Sequence, residues 1–424
     1  MLDLNLIREN TQMVKEALSK RMDNIDFDEL LQWDAERRKL IFDIDILKNK
    51  KNKVSKEIPE LKRKGENIEI YYLEMKEVSS NIKMLEDRLT PLGEKINTFL
   101  EALPNLPDND VVAGGKENNK VIREWGKKPD FKFIPRDHVE LVTMHNLIDY
   151  ERGVKLAGNG FWIYKGDGAM LEWALLNYFI EEHIKDGYEF ILPPHILSYQ
   201  CGLTAGQFPK FQDEVFKVTD NKNNENSQFL LPTSETALIN LHRDEILKEE
   251  ELPKKYFSYT PCYRVEAGSY RASERGMIRG HQFNKVEMFQ YTRPEDSDAA
   301  FEELLGKAER LVQGLGLHYR VSKLAAKDCS ASMARTYDIE IWIPSMNEYK
   351  EVSSASNARD YQARRGMIRF KRNGSKNTEY VHTLNASGLA TSRLLPAIVE
   401  QMQQEDGSII IPEVLRKWMG KEKL

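Results

Sequence analysis

Three cysteines in 424 residues, Cys201, Cys262 and Cys329, are too few and too far apart for a disulfide framework or a CxxC-type zinc site. No zinc is expected, and a reducing compartment is the natural home. No apolar run approaches the roughly 18 residues that span a bilayer; even GAMLEWALLNYF is broken by Glu172. The opening MLDLNLIREN carries charge from its third residue and lacks the apolar core of a signal peptide. A cytoplasmic protein with no membrane association is therefore expected. An excess of one charge is also lacking, since 62 Lys and Arg stand against 67 Asp and Glu. Affinity for phosphate would have to come from a local patch. There is no internal repeat, and low complexity is confined to the polar loop DNKNNENSQ at 220–228. What is present is a globular composition, 41% hydrophobic and 30% charged, long enough for two or three domains.

The first recognisable element is helical, from about 27 to 103. Trp33, Leu40, Leu47, Val54 and Leu61 fall seven apart, with Leu30, Ile44 and Ile58 supplying part of a second stripe. After Lys62–Gly65 a new register begins, with Met75, Ile82, Leu89, Ile96 and Leu103 on one stripe and Tyr71, Val78, Leu85, Leu92 and Phe99 on the other. Two heptad segments joined by a Gly-containing turn predict an antiparallel coiled-coil hairpin. Pro59 is expected to end or kink the first arm near its tip, and Pro91 to kink the second. Between Glu36 and Lys64 eleven Lys or Arg stand against five Asp or Glu. Lys48, Lys50, Lys51, Lys53, Lys56, Lys62, Arg63 and Lys64 read either as a solvated coiled-coil face or as a phosphate-binding stripe. Residues 104–120, rich in Pro, Asn, Asp and Gly, read as a linker. Beyond it the pattern turns to mixed helix and strand, with an apolar helix at 168–184.

Four later segments carry chemistry. In PCYRVEAGSYRASERGMIRGHQFNKVEMFQY (261–291), strand alternation puts Arg264 with Glu266, and Phe283 with Lys285 and Glu287, on single faces. Such a surface suits a nucleotide and a small ammonium-bearing molecule, or is a solvent-facing salt-bridged hairpin. In HTLNASGLATSRLLPAIVEQ (382–401), a strand enters a helix through small residues, with Arg393 in its first turns, an arrangement that can receive an anion. EYKEVSSASNARDYQARR (348–365) sets Glu351 beside Ser353 and Ser354, hard oxygens that suit Mg²⁺ or simply end a polar strand. LPTSETALINLHRDEIL supplies Thr233 and Glu235, which can hold an α-amino group or cap a helix.

Together and in this order, these segments resemble the three signature motifs of class II aminoacyl-tRNA synthetases. The phrases AGQFPKF, PTSE, HQFNKVEM, EVSSASNARDYQARR and LNASGLA, with the hairpin, are similar to bacterial-type seryl-tRNA synthetases over essentially the whole chain. The resemblance implies an α+β fold: a helical arm (1–103), a linker (104–120), and a catalytic domain (121–424) built on an antiparallel sheet flanked by helices. It implies ATP-dependent activation of L-serine and its transfer to tRNA(Ser), also to tRNA(Sec) where that tRNA exists, by a homodimer binding tRNA across subunits. It further implies that Thr233 and Glu235 bind the serine ammonium, with Ser234 between them among the serine-binding residues, and that Arg264 bridges the serine carboxylate and the ATP α-phosphate. Glu287 and Ser387 would line the serine pocket, Glu266 would contact adenine, and Phe283 would stack on it. Glu351 and Ser354 would hold Mg²⁺, Arg393 would clamp the γ-phosphate, and Val265, Arg279, Val352 and Ser353 would complete the ATP set. Arg264 and Arg393 would be the catalytic pair. The chain departs from the usual phrases at Ser234, Val265, Ala355, Ala386 and Ser392. Two other readings are a class II-like ligase loading a carrier protein and a non-catalytic coiled-coil nucleic-acid-binding protein. Relatives of the first kind lack the arm. Retention of Arg264, Glu287, Glu351 and Arg393 argues against the second, because a dead site has no physical reason to hold buried charge.

Overall fold

A computed structural model describes residues 1–65, 67–219, 228–265 and 276–424. The described chain divides into two bodies, one of residues 2–15 and 23–103, the other of Met1, residues 16–22 and 104–424.

In the first body, helices α2 (Asp28–Arg63) and α3 (Glu69–Ala102) form the expected hairpin. Helix α2 starts with Asp28 and Glu29 and ends with Lys62 and Arg63, charges that complement its dipole. Its seam buries Ile44 against Met75, Val78 and Ile82, flanked by Leu47, Val54, Leu85 and Leu89. Near the base the buried residues of α3 are Leu92, Ile96 and Leu100, four apart. There the helix keeps its own 3.6-residue period, so Leu100 is buried in addition to Leu103, which the heptads assign to the seam. Phe99 instead meets Phe27 and Trp33 edge-on, at 6.4 and 6.2 Å between ring centroids. Helix α2 does not end at Pro59, and α3 likewise runs through Pro91. Both prolines lie on exposed positions, where water can take the carbonyl that loses its partner. Asp34 is buried and holds Arg8 of α1 (Leu4–Glu9) and Arg38, each at 3.0 Å, which fixes the short helix to the long one. Of the basic residues in α2, Lys48 and Lys50 pair with Glu86 and Glu74 of α3. Lys51, Lys53, Lys56, Lys62 and Arg63 have no carboxylate partner among the described residues.

The second body is built on an eight-stranded sheet. Its strands are β1 (Lys120–Trp125), β2 (Glu189–Phe190), β3 (Lys254–Tyr263), β4 (Gln282–Thr292), β5 (Tyr319–Lys323), β6 (Arg335–Ile343), β7 (Glu348–Arg359) and β8 (His382–Ala390). Their spatial order is β1-β5-β6-β7-β8-β4-β3-β2. All neighbours are antiparallel except the edge pair, where β2 runs parallel to β3. Period two sorts the side chains. Val286 and Met288 of β4, Ile339 and Ile341 of β6 and Leu384 and Ala386 of β8 face a core formed with three helices. These are α4 (Asp167–Lys185), α5 (Ser297–Gly314) and α6 (Thr391–Gln401), which contribute Leu171, Leu175 and Phe179, then Phe301, Leu304 and Leu305, then Leu394, Leu395 and Ile398. Each such buried side chain is worth about 2 kcal/mol, so the helical layer fixes the sheet firmly. The polar residues at alternate positions then have only the opposite face available, and that face carries the site.

Residues 104–120 are fastened to this body. Asn105 Nδ2 donates to the carbonyls of Ser332 and Ala358 at 2.9 and 2.8 Å, and Asp108 pairs with Arg335 and Arg359. Among the described residues no helix is long and apolar enough to cross a membrane.

Candidate active site

Strands β3 and β4 form the long hairpin read from 261–291, with Tyr263 opposite Gln282. Just past β3, the Arg264 N–H donates to the His281 carbonyl and the His281 ring donates back to the Arg264 carbonyl, both at 2.9 Å. This lock aims the Arg264 side chain over the Phe283 ring, 5.2 Å from its centroid, while Nε donates to the Pro232 carbonyl at 3.3 Å. Val265 is exposed beside it. Glu266 lies outside the described residues, as do the loop residues Gly268, Arg271 and Arg275.

A cavity of about 430 Å³ opens on the polar face of the sheet. Thr233, Glu235, Arg264, Arg279, Glu287, Glu351, Ser354, Ser387 and Arg393 all line it, drawn from five separate parts of the chain. It is continuous in its residues with two further hollows. One holds Arg279, Phe283, Glu351, Val352 and Arg393; the other holds Thr233, Glu235 and Phe211. Arg264 lines all three. The side chains of Ser234 and Ser353 point elsewhere. Ser234 is fully buried, and Ser353 Oγ donates to the Ser387 carbonyl at 2.6 Å.

At one end the carboxylates are buried and crowded. Glu287 accepts from Asn385 at 2.9 Å, Ser387 at 3.4 Å and Thr233 at 3.5 Å, and is ion-paired with Lys285. Glu235 accepts from Gln362 Nε2 at 2.7 Å and from Asn385 at 3.4 Å. Burial first, and then the charge of Glu287, pushes the Glu235 carboxyl up to about 7. This end can take a small molecule bearing a cation and a hydroxyl.

At the other end Arg393, in the second position after Thr391 on α6, donates to the backbone carbonyls of Glu351 at 2.7 Å and Ile278 at 3.2 Å. Its guanidinium also stands 3.6 Å from the Glu351 carboxylate. Below it, Glu172 of α4 accepts from Thr391 and Asn284 and is pushed up to about 7 by burial, a structural tie between α4 and the start of α6. Glu351 and Ser354, three apart, line the cavity together because of a bulge. Ile339 faces Ser353 while Glu340 faces Glu351, so Val352 is an extra residue that reverses the alternation. Asp338 and Glu340 of β6 line the same wall. Asp338 Oδ1 is shut off from solvent without a hydrogen-bond partner among the described residues. Burial and the like charges of Glu351 and Glu340 raise its carboxyl well above the usual range. These hard oxygens fit a divalent cation, which would relieve both the repulsion and the orphaned oxygen. Among the described residues no three His, Cys, Asp or Glu side chains stand grouped as a ready metal cage. A cation here would share its coordination sphere with a ligand.

Lys285, Gln362, Asn385, Asp338 and Glu340 belong to the site, and no motif in the sequence assigns them a role. Strand alternation puts Lys285 on the site's face, and Asp338 and Glu340 show as alternating carboxylates in YDIEIW. Asn385 and Gln362 carry no such signal, since an amide in a strand or helix is ordinarily unremarked.

An antiparallel sheet with these arginines and carboxylates on one face defines a class II aminoacyl-tRNA synthetase core. The family model described as the tRNA synthetase class II core domain (G, H, P, S and T) matches residues 216–402. A second, the seryl-tRNA synthetase N-terminal domain, matches residues 1–107. The chain is 73% identical to serine–tRNA ligase 2 of Clostridium acetobutylicum, over all of both chains. It is similar to the crystal structure of seryl-tRNA synthetase from Pyrococcus horikoshii complexed with ATP, at 34% identity and a TM-score of 0.90, covering 100% of this chain and 99% of that one. The cytoplasmic serine–tRNA ligase of Naegleria fowleri in complex with AMP gives 29% identity and 0.86, covering 100% and 98%. The chain belongs to the seryl-tRNA synthetase family.

Proposed function

We infer that the cavity binds ATP and L-serine, joins them as seryl-adenylate, and delivers the seryl group to tRNA(Ser). The observation that carries this reading is the position of Arg264, shared by the buried carboxylate end and the Phe283–Arg393 end. An arginine there can hold the serine carboxylate and the α-phosphate at once, which is the geometry an in-line displacement needs. A serine carboxylate oxygen bonds to the α-phosphorus as the bond to the bridging oxygen breaks and pyrophosphate leaves. A terminal ribose hydroxyl of the tRNA then attacks the mixed anhydride, and AMP leaves. No side-chain nucleophile is required; positioning and charge neutralisation suffice.

In this reading Thr233 and Glu235 take the serine ammonium, with Ser234 contributing through its backbone. Glu287 and Ser387 take the hydroxyl. Phe283 and Glu266 receive the adenine, Arg279, Val265 and Val352 border the nucleotide, and Arg393 clamps the γ-phosphate. Ser353 acts from beneath, holding the Ser387 backbone. Glu351 and Ser354 would hold Mg²⁺, which when bound neutralises charge on the leaving pyrophosphate. Two copies pair in the cytoplasm through the exposed apolar side chains that include Trp173 and Leu192, and tRNA(Sec), where it exists, is served as tRNA(Ser) is.

A site that hydrogen-bonds a hydroxyl rejects the analogue without one, because its buried polar groups are left unpaired. Serine should therefore support ATP–pyrophosphate exchange with a kcat/KM at least about a thousandfold above that of alanine. Comparable exchange with the two amino acids would remove Glu287 and Ser387 from the role assigned to them.

A further inference from the structure

Lys285 is a buried cation to which the chemistry above gives no task. It reaches from β4 into the carboxylate end of the cavity, with only 7% of its side chain exposed. Its ammonium donates to Thr233 Oγ1 at 2.6 Å and is ion-paired with Glu287. It thus touches two of the groups that would hold serine. Glu235 and Glu287 are themselves bridged by the one Asn385 amide, so their charges stand close together in a buried place. Two carboxylates so placed do not both ionise at neutral pH without a compensating cation. The charged groups facing Glu235 are Glu287 and Lys285 from β4 and Arg264 from the end of β3; Gln362 and Asn385 face it as neutral amides.

We propose that Lys285 is a positioning residue of the amino-acid pocket: its ammonium, fixed between Thr233 and Glu287, offsets the negative charge gathered there and so favours the anionic form of Glu235 that receives the substrate's ammonium. The proposal rests on the reading of this pocket as the serine site. The sign of its pH dependence follows directly. Protonation of Glu235 removes the partner of the serine ammonium, so the serine KM rises as pH falls through the region where Glu235 titrates. Without Lys285 that region moves upward.

The experiment is serine-dependent ATP–pyrophosphate exchange by the full chain and by Lys285→Met, Lys285→Gln and Lys285→Arg, between pH 6 and 8.5. Lys285→Gln retains a donor for Thr233 and removes only the charge. In the Met and Gln variants the acid limb of serine kcat/KM should move up by about one pH unit or more, with serine KM at pH 7 raised about tenfold, the weight of one lost charge partner. The KM for ATP should stay within about twofold, since the effect lies in amino-acid binding. Lys285→Arg, which keeps the charge, should leave the limb near the parent's. An unmoved acid limb in both the Met and Gln variants overturns the proposal, as does a raised KM for ATP with an unchanged serine profile. Absence of serine-dependent exchange in the parent chain would instead overturn the pocket reading itself.

Discussion

At the scale of single residues, the proposed function divides the labour at the nucleotide between Arg264 and Phe283. In that reading Arg264, held by the His281 lock where the hollows meet, faces the charge that develops as the α-phosphorus changes bonding. Phe283 would offer an aromatic face that meets the nucleotide equally before and during reaction. Arg264→Ala should therefore lower kcat by roughly a hundredfold or more, as loss of a donor to the transition state does. Phe283→Ala should mainly raise the KM for ATP. Steady-state exchange kinetics separate the two, and a change confined to KM in the arginine variant would contradict the assignment. The parity of Phe283, Lys285 and Glu287 was readable because strand alternation is a fixed property of the backbone. The shared orientation of Glu351 and Ser354 was not, since three residues apart on a regular strand they would face opposite ways. The bulge at Val352 turns them together, and no residue in EVSS announces it. The Ser353 hydroxyl is a detail of the same kind: it donates to the Ser387 backbone, a contact that nothing in EVSS announces.

At the scale of elements, the hairpin was the most legible part of the chain, because its seam depends on side-chain spacing alone. Of the two outcomes expected at Pro59, an end or a kink, the end is excluded, since a helix whose exposed face meets water can run on through it. The catalytic sheet was legible as strands but not in their order, because neighbours such as β4 and β8 are brought together by pairing across nearly a hundred residues. Helix α2 has 36 residues and would extend roughly 50 Å at 1.5 Å per residue, with Lys51, Lys53, Lys56, Lys62 and Arg63 towards its far end lacking a carboxylate partner among the described residues. Those charges are suited to RNA phosphates. Deleting Ile46–Ile82 and joining the ends with a short Gly-containing turn leaves the Arg8–Asp34 anchor and the aromatic base with Phe27, Trp33 and Phe99. Serine-dependent pyrophosphate exchange should persist within about twofold, while tRNA charging should fall by roughly two orders of magnitude, as expected when several phosphate contacts are lost. Equal charging of full-length tRNA by the shortened chain would make the arm a solvated coiled coil.

At the scale of the whole molecule, the chain joins two chemistries that answer to different tests. The sheet provides a cavity for activation, with carboxylates at one end and arginines at the other. The hairpin provides a local cationic surface on a chain whose net charge is −5. If the arm holds tRNA through those lysines, charging should weaken steeply with salt while amino-acid activation does not. The measurement that tests the account most directly is aminoacylation of a purified tRNA pool by the full chain with ATP and each standard amino acid in turn. Serine alone should become attached, to serine-accepting tRNA, with release of AMP and pyrophosphate. Attachment of a different amino acid, or activation of serine without any transfer to tRNA, would contradict it.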